Sequence, residues 1–135
     1  MIRVNETQFA ALEAYFGEEF VEQMARNLVS SFPVECKPLG REAVLQFVRA
    51  SVTRARGQTI GAVLDVDLRR YVVTEFVLGL DETAKIAKSE RERVLARDGK
   101  VDPTVLVFCL YQEMRGRLMT KAPARPQQVE NEALG

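Results

Sequence analysis

The stretch Asp67–Leu80, DLRRYVVTEFVLGL, most constrains how this chain can fold. Read as a helix, it is apolar over most of its circumference, and only Arg70 and Thr74 define a polar strip. Such a helix is usually covered by neighbours on several sides. The sequence therefore predicts a central apolar helix at about residues 67–79, surrounded by the other elements of one compact helical bundle.

Helical spacing of apolar residues recurs through most of the remaining chain, whereas the alternation typical of half-buried strands is missing. The pair Asp102-Pro103 is a strong start signal for the last helix, because proline suits the first helical position. We expect an all-α bundle of five or six helices. The predicted helices other than the central one cover residues 5–17, 18–31, 41–56, 82–97 and 103–120. Asp65 or Asp67 is expected to cap the central helix, Gly17 to end the first helix and Gly99 to end the helix at 82–97.

The domain organisation follows from length and from the composition of the C-terminus. A chain of 135 residues is typical of one domain, which we place at residues 1–120. Residues 121–135, KAPARPQQVENEALG, are rich in proline, glutamine, alanine and charge. That composition predicts a flexible tail.

Composition also limits the function classes. The 19 basic and 19 acidic residues cancel, which disfavours nucleic-acid binding through a basic surface, and histidine is absent. We find no spacing typical of a metal site, no phosphate-binding loop and no activated nucleophile. We therefore expect no catalytic residue, metal or cofactor, and no membrane partner. Two unpaired cysteines and the lack of a long apolar run favour a cytoplasmic location.

Glu75 is the most unusual residue of the central helix, because it lies within the apolar zone. A carboxylate in such a place must be paired, protonated or at an interface. Arg54 lies at one edge of the third helix and is the candidate internal partner of Glu75. Exposure of Glu75 at an edge and contact with another protein remain alternatives.

The last helix carries two apolar faces, one with Val107, Leu110, Tyr111, Met114 and Leu118, the other with Val105, Phe108, Cys109 and Met119. A terminal helix of this kind either occupies a deep groove or contacts a partner, and the residues do not decide between the two. Arginines of the third helix and the Phe-Pro connector are further contact candidates. The predicted partner-binding residues are Phe32, Pro33, Arg49, Arg56, Tyr111, Met114 and Leu118.

Over residues 7–82 the chain resembles a family of small helical bacterial proteins. They are encoded beside the spike-tip (PAAR, VgrG) and toxin genes of type VI secretion systems. Asn27 and Glu75 depart from the family pattern, and the C-terminal third lies outside the resemblance. The similarity is carried by Phe20-x-x-x-Met24, Phe32-Pro33-x-x-Cys36-x-x-Leu39-Gly40, Val48, Arg54-Ala55, Asp67, Arg70-Tyr71-Val72 and Gly79.

The resemblance implies a non-enzymatic adaptor or co-chaperone that helps to load a toxin onto the secretion spike. Its expected partner is an effector toxin or a spike (PAAR) protein, and a homo-oligomer is possible. An immunity protein that neutralises a cognate toxin is one alternative. A nucleic-acid-binding regulator is the other, although zero net charge and scattered arginines disfavour it.

Overall fold

The computed structural model describes the backbone of residues 6–121 and the side chains of residues 17–120. This part of the chain forms six helices and contains no strand, which confirms the all-α prediction. The predicted tail, apart from the backbone of Lys121, lies outside the described residues. The helices are α1 (Glu6–Ser31), α2 (Pro33–Cys36), α3 (Arg41–Arg56), α4 (Asp65–Leu78), α5 (Leu80–Asp98) and α6 (Pro103–Lys121).

The chain divides into two compact units, Met1–Thr53 and Arg54–Gly135. The first unit contains α1, α2 and most of α3. The second contains the end of α3 and all of α4, α5 and α6. Each unit is described by itself, and a single domain at residues 1–120 stays a prediction.

In the first unit, α1 is one continuous helix, so the prediction that Gly17 separates two helices was wrong. Glycine in a helix interior costs roughly 0.5–1 kcal/mol relative to alanine. Unlike proline, however, it keeps the backbone N–H that continues the hydrogen-bond ladder. A real break comes near Pro33, which takes a first-turn position of the short helix α2. The buried apolar residues of this unit are Val21, Met24, Ala25, Leu28, Cys36, Val44, Leu45 and Val48.

In the second unit, α4 packs against both α5 and α6, and these two helices also contact each other. The central position predicted for this helix is therefore confirmed within the second unit. Predicted helix ends are also confirmed: the Asp102 carboxylate accepts a hydrogen bond from the Thr104 N–H at 2.9 Å, and α5 ends at Gly99. Buried apolar residues from the three helices are Leu68, Tyr71, Val72, Ile86, Ala87, Val94, Leu106, Val107, Leu110 and Met114.

The buried face of α4 differs from the one that apolar residues alone indicate. Thr74 and Glu75 are at most 1% exposed, whereas Val73 and Val77 are only half-buried. Thr74 satisfies its hydroxyl within the helix by donating to the Arg70 carbonyl oxygen at 2.7 Å. The polar strip that Arg70 and Thr74 define is thus partly turned inward, where each buried group has to find a hydrogen-bond partner.

Asp67 does not cap α4, contrary to the sequence-based prediction that Asp65 or Asp67 would do so. The helix begins at Asp65, and Leu64 occupies the N-cap position without a side-chain hydrogen bond. Asp67 is instead 1% exposed, and its Oδ2 accepts a 2.7 Å hydrogen bond from the Thr104 hydroxyl of α6. A residue type that favours helix starts therefore serves here as a contact between two helices.

The loop between α3 and α4 is held by a side chain of α5. Arg91 Nη1 donates to the Thr59 carbonyl oxygen at 2.6 Å, and the Gln58 carbonyl oxygen lies at 3.4 Å. Ile60 and Ala62 point inward and are at most 5% exposed. The loop is therefore fixed by buried side chains on one side and by a guanidinium group on the other.

The corner between α4 and α5 consists of Gly79 alone. Its backbone has φ 90° and ψ 163°, and its N–H donates to the Glu75 carbonyl oxygen at 2.9 Å. Its own carbonyl oxygen accepts hydrogen bonds from the N–H and the hydroxyl of Thr83, at 3.1 and 2.7 Å. Only glycine adopts this backbone region without strain.

The Gly79→Ala substitution is expected to destabilise the second unit by about 1–3 kcal/mol, because alanine is strained at this φ and ψ. Gly116→Ala is the matched control: Gly116 lies inside α6 and no atom outside its own helix backbone lies within 4 Å of an added Cβ. This change should stabilise by about 0.5–1 kcal/mol. Urea unfolding followed by circular dichroism measures both. Equal midpoints for the two variants would contradict the requirement for glycine at the corner.

Candidate functional site

An apolar groove of about 600 Å³ opens in the first unit, lined by α1, the short connector helix α2 and α3. Its floor consists of buried apolar side chains, and Val29, which is 45% exposed, lies on its wall. This volume lies within the range of about 300–1,000 Å³ that is typical of binding sites. The buried floor residues are Ala25, Cys36, Val44 and Leu45.

The rim of the groove carries more positive than negative charge. Among the described residues, the rim contains three basic side chains, those of Arg26, Lys37 and Arg41, and one carboxylate, that of Glu22. Glu22 Oε2 lies 3.2 Å from Arg41 Nη2 and 3.9 Å from Arg26 Nη1. Lys37 has no acidic partner in the described part of the chain. Positive charge is thus in excess around an apolar floor.

Cys36 on the floor of the groove is unsuited to nucleophilic chemistry. Burial raises the pKa of its thiol, and the charge of Glu35 raises the pKa further. The thiolate is the reactive form of cysteine, so Cys36 contributes apolar surface as a neutral thiol. Within the described residues, no group of three side chains of the metal-ligating types comes together. The groove therefore offers shape, apolar surface and rim charge.

The connector beside the groove exposes more apolar surface. Val34 is 78% exposed and Leu39 is 50% exposed. Both flank Cys36 in the sequence, on α2 and on the turn that follows it. Clustered apolar residues that remain exposed often mark interaction sites. Neither of these two side chains lines the groove, so the exposed apolar surface of the connector lies beside the groove and is not part of it.

In the second unit, the structure pairs Arg54 with Glu75, the internal alternative for this carboxylate. Arg54 Nε lies 3.0 Å from both Oε1 and Oε2 of Glu75, and Nη2 also donates to Oε1. The Glu75 side chain is fully buried, whereas that of Arg54 is 35% exposed. The guanidinium group therefore reaches inward from the end of α3 and keeps partial contact with solvent.

Tyr71 completes this polar cluster one helical turn before Glu75. Burial raises the pKa of the Tyr71 hydroxyl, and the charge of Glu75 and a hydrogen bond to it raise the pKa further. The same carboxylate raises the pKa of Arg54. The cluster thus holds a carboxylate and a guanidinium group as charges and Tyr71 as a neutral phenol. We assign it a structural role, because Tyr71 and Glu75 are buried.

The predicted partner-binding residues of the first unit differ in what surrounds them. Pro33 is exposed and lines the groove, whereas Phe32 is half-buried at the N-cap of α2. Arg49 does not line the groove. Its Nη2 lies 2.5 Å from Glu18 Oε1, in an exposed pair that lowers the pKa of Glu18.

Among the candidates of the second unit, Met114 is corrected by the structure. It is 2% exposed and belongs to the core, because its face of α6 packs inward. Leu118 is 39% exposed, Tyr111 is half-buried, and Arg56 is exposed. The face that contains Met114 is therefore buried except at Tyr111 and Leu118. Phe108 and Met119 of the other face are also exposed, so packing covers only part of the apolar surface of α6.

Sequence reasoning missed two features of the possible binding surfaces. Val29 belongs to the apolar stripe of α1, and periodicity cannot tell a groove wall from a core position. The sequence places Arg70 only in a polar strip of the central helix, whereas in the structure its guanidinium group lies over the aromatic rings of Phe108 and Tyr111. The i, i+3 spacing of Phe108 and Tyr111 indicates that both rings lie on one face of α6. The sequence does not indicate that this face packs beside Arg70 of α4.

None of the described helices has the length and apolarity required to cross a membrane. Comparisons of the chain with protein-family models, curated proteins and solved structures found no match. The resemblance to the type VI secretion proteins therefore stays an expectation based on the short motifs named above.

The Glu75→Gln substitution should lower the free energy of unfolding by about 1–3 kcal/mol, because an amide cannot balance the Arg54 charge. Partial solvation of Arg54 limits the loss. Glu82→Gln is the matched control, since Glu82 pairs with Arg117 at 2.9 Å but both side chains are about 40% exposed. Its expected cost is at most about 1 kcal/mol. Unchanged urea midpoints for both variants would contradict a structural role of the buried pair.

The raised pKa of Tyr71 predicts that the folded protein loses stability at alkaline pH. In the unfolded chain tyrosine ionises near its ordinary pKa of 10, whereas folded Tyr71 keeps its proton. Above that pH the unfolded state binds fewer protons, so stability falls by up to about 1.4 kcal/mol per pH unit. Below about pH 10 this contribution is constant.

The Tyr71→Phe variant tests this pH dependence. It should be less stable than the parent at neutral pH by about 0.5–1.5 kcal/mol, through the lost hydrogen bond to Glu75. Its stability should then decline less steeply above about pH 10. Urea midpoints at a series of pH values measure both slopes. Parallel curves for the two proteins would show that Tyr71 does not contribute.

Proposed function

We propose that this chain is a non-enzymatic adaptor that binds an amphipathic helix of another protein in the groove of its first unit. The observation that carries the proposal is the groove itself, with its buried apolar floor and its excess of positive rim charge. A partner helix of matching chemistry carries apolar anchors at i, i+3 or i+4 and i+7, flanked by acidic residues.

A helical occupant suits the groove better than an extended one. An extended peptide needs partners for its own backbone N–H and C=O groups, which a sheet edge provides. The walls of this groove are helices, whose backbone groups are already bonded within α1 and α3. A helix brings its backbone hydrogen bonds with it and presents only side chains to the groove.

For the identity of the partner, we propose an effector toxin or a spike protein of a type VI secretion system. This step rests on the resemblance over residues 7–82. Several positions that carry it lie at or beside the groove, among them Pro33, Cys36 and Gly40. In this proposal the adaptor holds a helical segment of the effector or spike component until the effector is loaded.

The test is co-purification of the tagged full-length chain with proteins encoded beside it, each divided into its toxin domain and its translocation or spike region. Three forms of the chain are compared: the parent, Val29→Glu in the groove wall and Val34→Glu on the adjacent connector. Both positions are exposed, and thermal melting verifies that the variants fold. Only Val29 lines the groove.

We expect the parent and Val34→Glu to bind the translocation or spike region. Val29→Glu should bind at least about tenfold more weakly, which corresponds to about 1.4 kcal/mol, because it puts a carboxylate against apolar and acidic partner groups. Binding to the toxin domain alone would overturn the adaptor role in favour of an immunity protein. Equal binding by the two variants would overturn the groove as the site.

A further inference from the structure

The second unit carries an arginine that is fixed in place by aromatic rings. Arg70 Cζ of α4 lies 5.7 Å from the centroid of the Phe108 ring and 5.6 Å from that of Tyr111, both on α6. Arg115, one turn after Tyr111, has its Cζ 6.0 Å from the same tyrosine ring. A guanidinium group over an aromatic face is attracted by the negative potential of the ring. Two cations therefore lie around one small aromatic surface.

These two arginines are not neutralised within the described part of the chain. Neighbouring arginines of the same unit have carboxylate partners, for example Arg69 with Asp65 at 2.7 Å and Arg117 with Glu82 at 2.9 Å. Arg70 and Arg115 form no such pair among the described residues. The aromatic surface therefore combines a local excess of positive charge with rings that are not fully covered.

Apolar side chains continue the surface in both helices. Val73 and Val77 follow Arg70 by three and seven positions, so they share its face of α4, and both are half-buried. On α6, Phe108 is 43% exposed and Leu118 is 39% exposed. A partner that supplied only negative charge would leave these apolar side chains in contact with water. A purely apolar partner would leave the guanidinium groups without a carboxylate.

We propose that this surface, formed by Arg70, Phe108, Tyr111 and Arg115, is a second docking site, and that it binds an acidic and apolar segment of a partner protein. A carboxylate of the partner accepts hydrogen bonds from Arg70, and neighbouring aliphatic side chains cover Phe108. The guanidinium fork suits a carboxylate because its N–H groups can donate in two parallel bonds.

The aromatic contacts explain why Arg70 is the anchor of the site. A free arginine side chain samples many rotamers, and it must lose part of this entropy when it binds. At Arg70 the rings already restrict the side chain, which favours binding through pre-organisation. Together with the groove, the site would give the chain one binding surface in each compact unit.

The experiment uses the full-length chain and a random twelve-residue peptide library displayed on phage. Selected peptides are synthesised with a fluorescein label, and their affinities are measured by fluorescence anisotropy. We expect enrichment of peptides in which aspartate or glutamate adjoins leucine, isoleucine or valine. Replacing the acidic residues of a selected peptide by their amides should abolish binding.

Matched variants separate the site from general charge. Arg70→Gln should weaken the selected peptides at least about tenfold, whereas Arg69→Gln, which removes the same charge from the adjacent position, should weaken them at most about threefold. Phe108→Ala should also weaken them. The groove variant Val29→Glu should bind as the parent does, so this result does not depend on the function proposed for the groove.

Four outcomes would overturn the proposal. The first is a selection without acidic peptides, and the second is equal weakening by Arg70→Gln and Arg69→Gln. The third is Arg70-dependent binding of a labelled oligouridine, which would identify a nucleic-acid site, because aromatic rings also stack on bases. The fourth is tighter peptide binding by a full-length variant with Glu130 and Glu132 changed to glutamine, which would assign the surface to these two glutamates of the chain's own C-terminal segment.

Discussion

The ion pair between Arg54 and Glu75 determines which side of α4 faces inward. A buried carboxylate without a partner is strongly destabilising, so Glu75 has to face the one guanidinium group that reaches it. Thr74 and Asp67 are buried together with Glu75: the Thr74 hydroxyl donates to the Arg70 carbonyl oxygen and Asp67 Oδ2 accepts from the Thr104 hydroxyl, whereas Asp67 Oδ1 has no hydrogen-bond partner among the described residues. Val73 and Val77 consequently remain half-buried, although they are more apolar than Thr74 and Glu75, which the helix buries.

The sequence was sufficient for the features that depend on local chemistry. Helical periodicity predicts the elements, the Asp102-Pro103 pair predicts the start of α6, and Gly99 predicts the end of α5. The errors arise where tertiary contacts outweigh local preference. Gly17 does not end a helix because the ladder continues through it, and Asp67 does not cap α4 because Thr104 of another helix lies within reach. No local sequence pattern indicates that Thr104 lies within hydrogen-bond distance of Asp67.

The candidate surfaces were only partly predictable, for the same reason. The position of Pro33 in the turn-rich connector predicted an exposed contact residue, and it does line the groove. Met114 has the same helical signature as a surface contact but lies in the core. Apolar residues at helical spacing show that a face will be covered, but they do not show whether the chain itself or a partner covers it. Arg70 and its two rings required the packing of α4 on α6.

The corner at Gly79 has a consequence for how this protein can vary. Most helix connections contain several residues, and insertions or substitutions in them have little effect on the helices that they join. Here a single residue connects α4 to α5, and its backbone geometry excludes side chains. An insertion would rotate α5 against α4 and misplace Thr83, whose hydroxyl donates to the Gly79 carbonyl oxygen. Insertions are therefore better tolerated at a longer connection, such as the turn after α2, than at this corner.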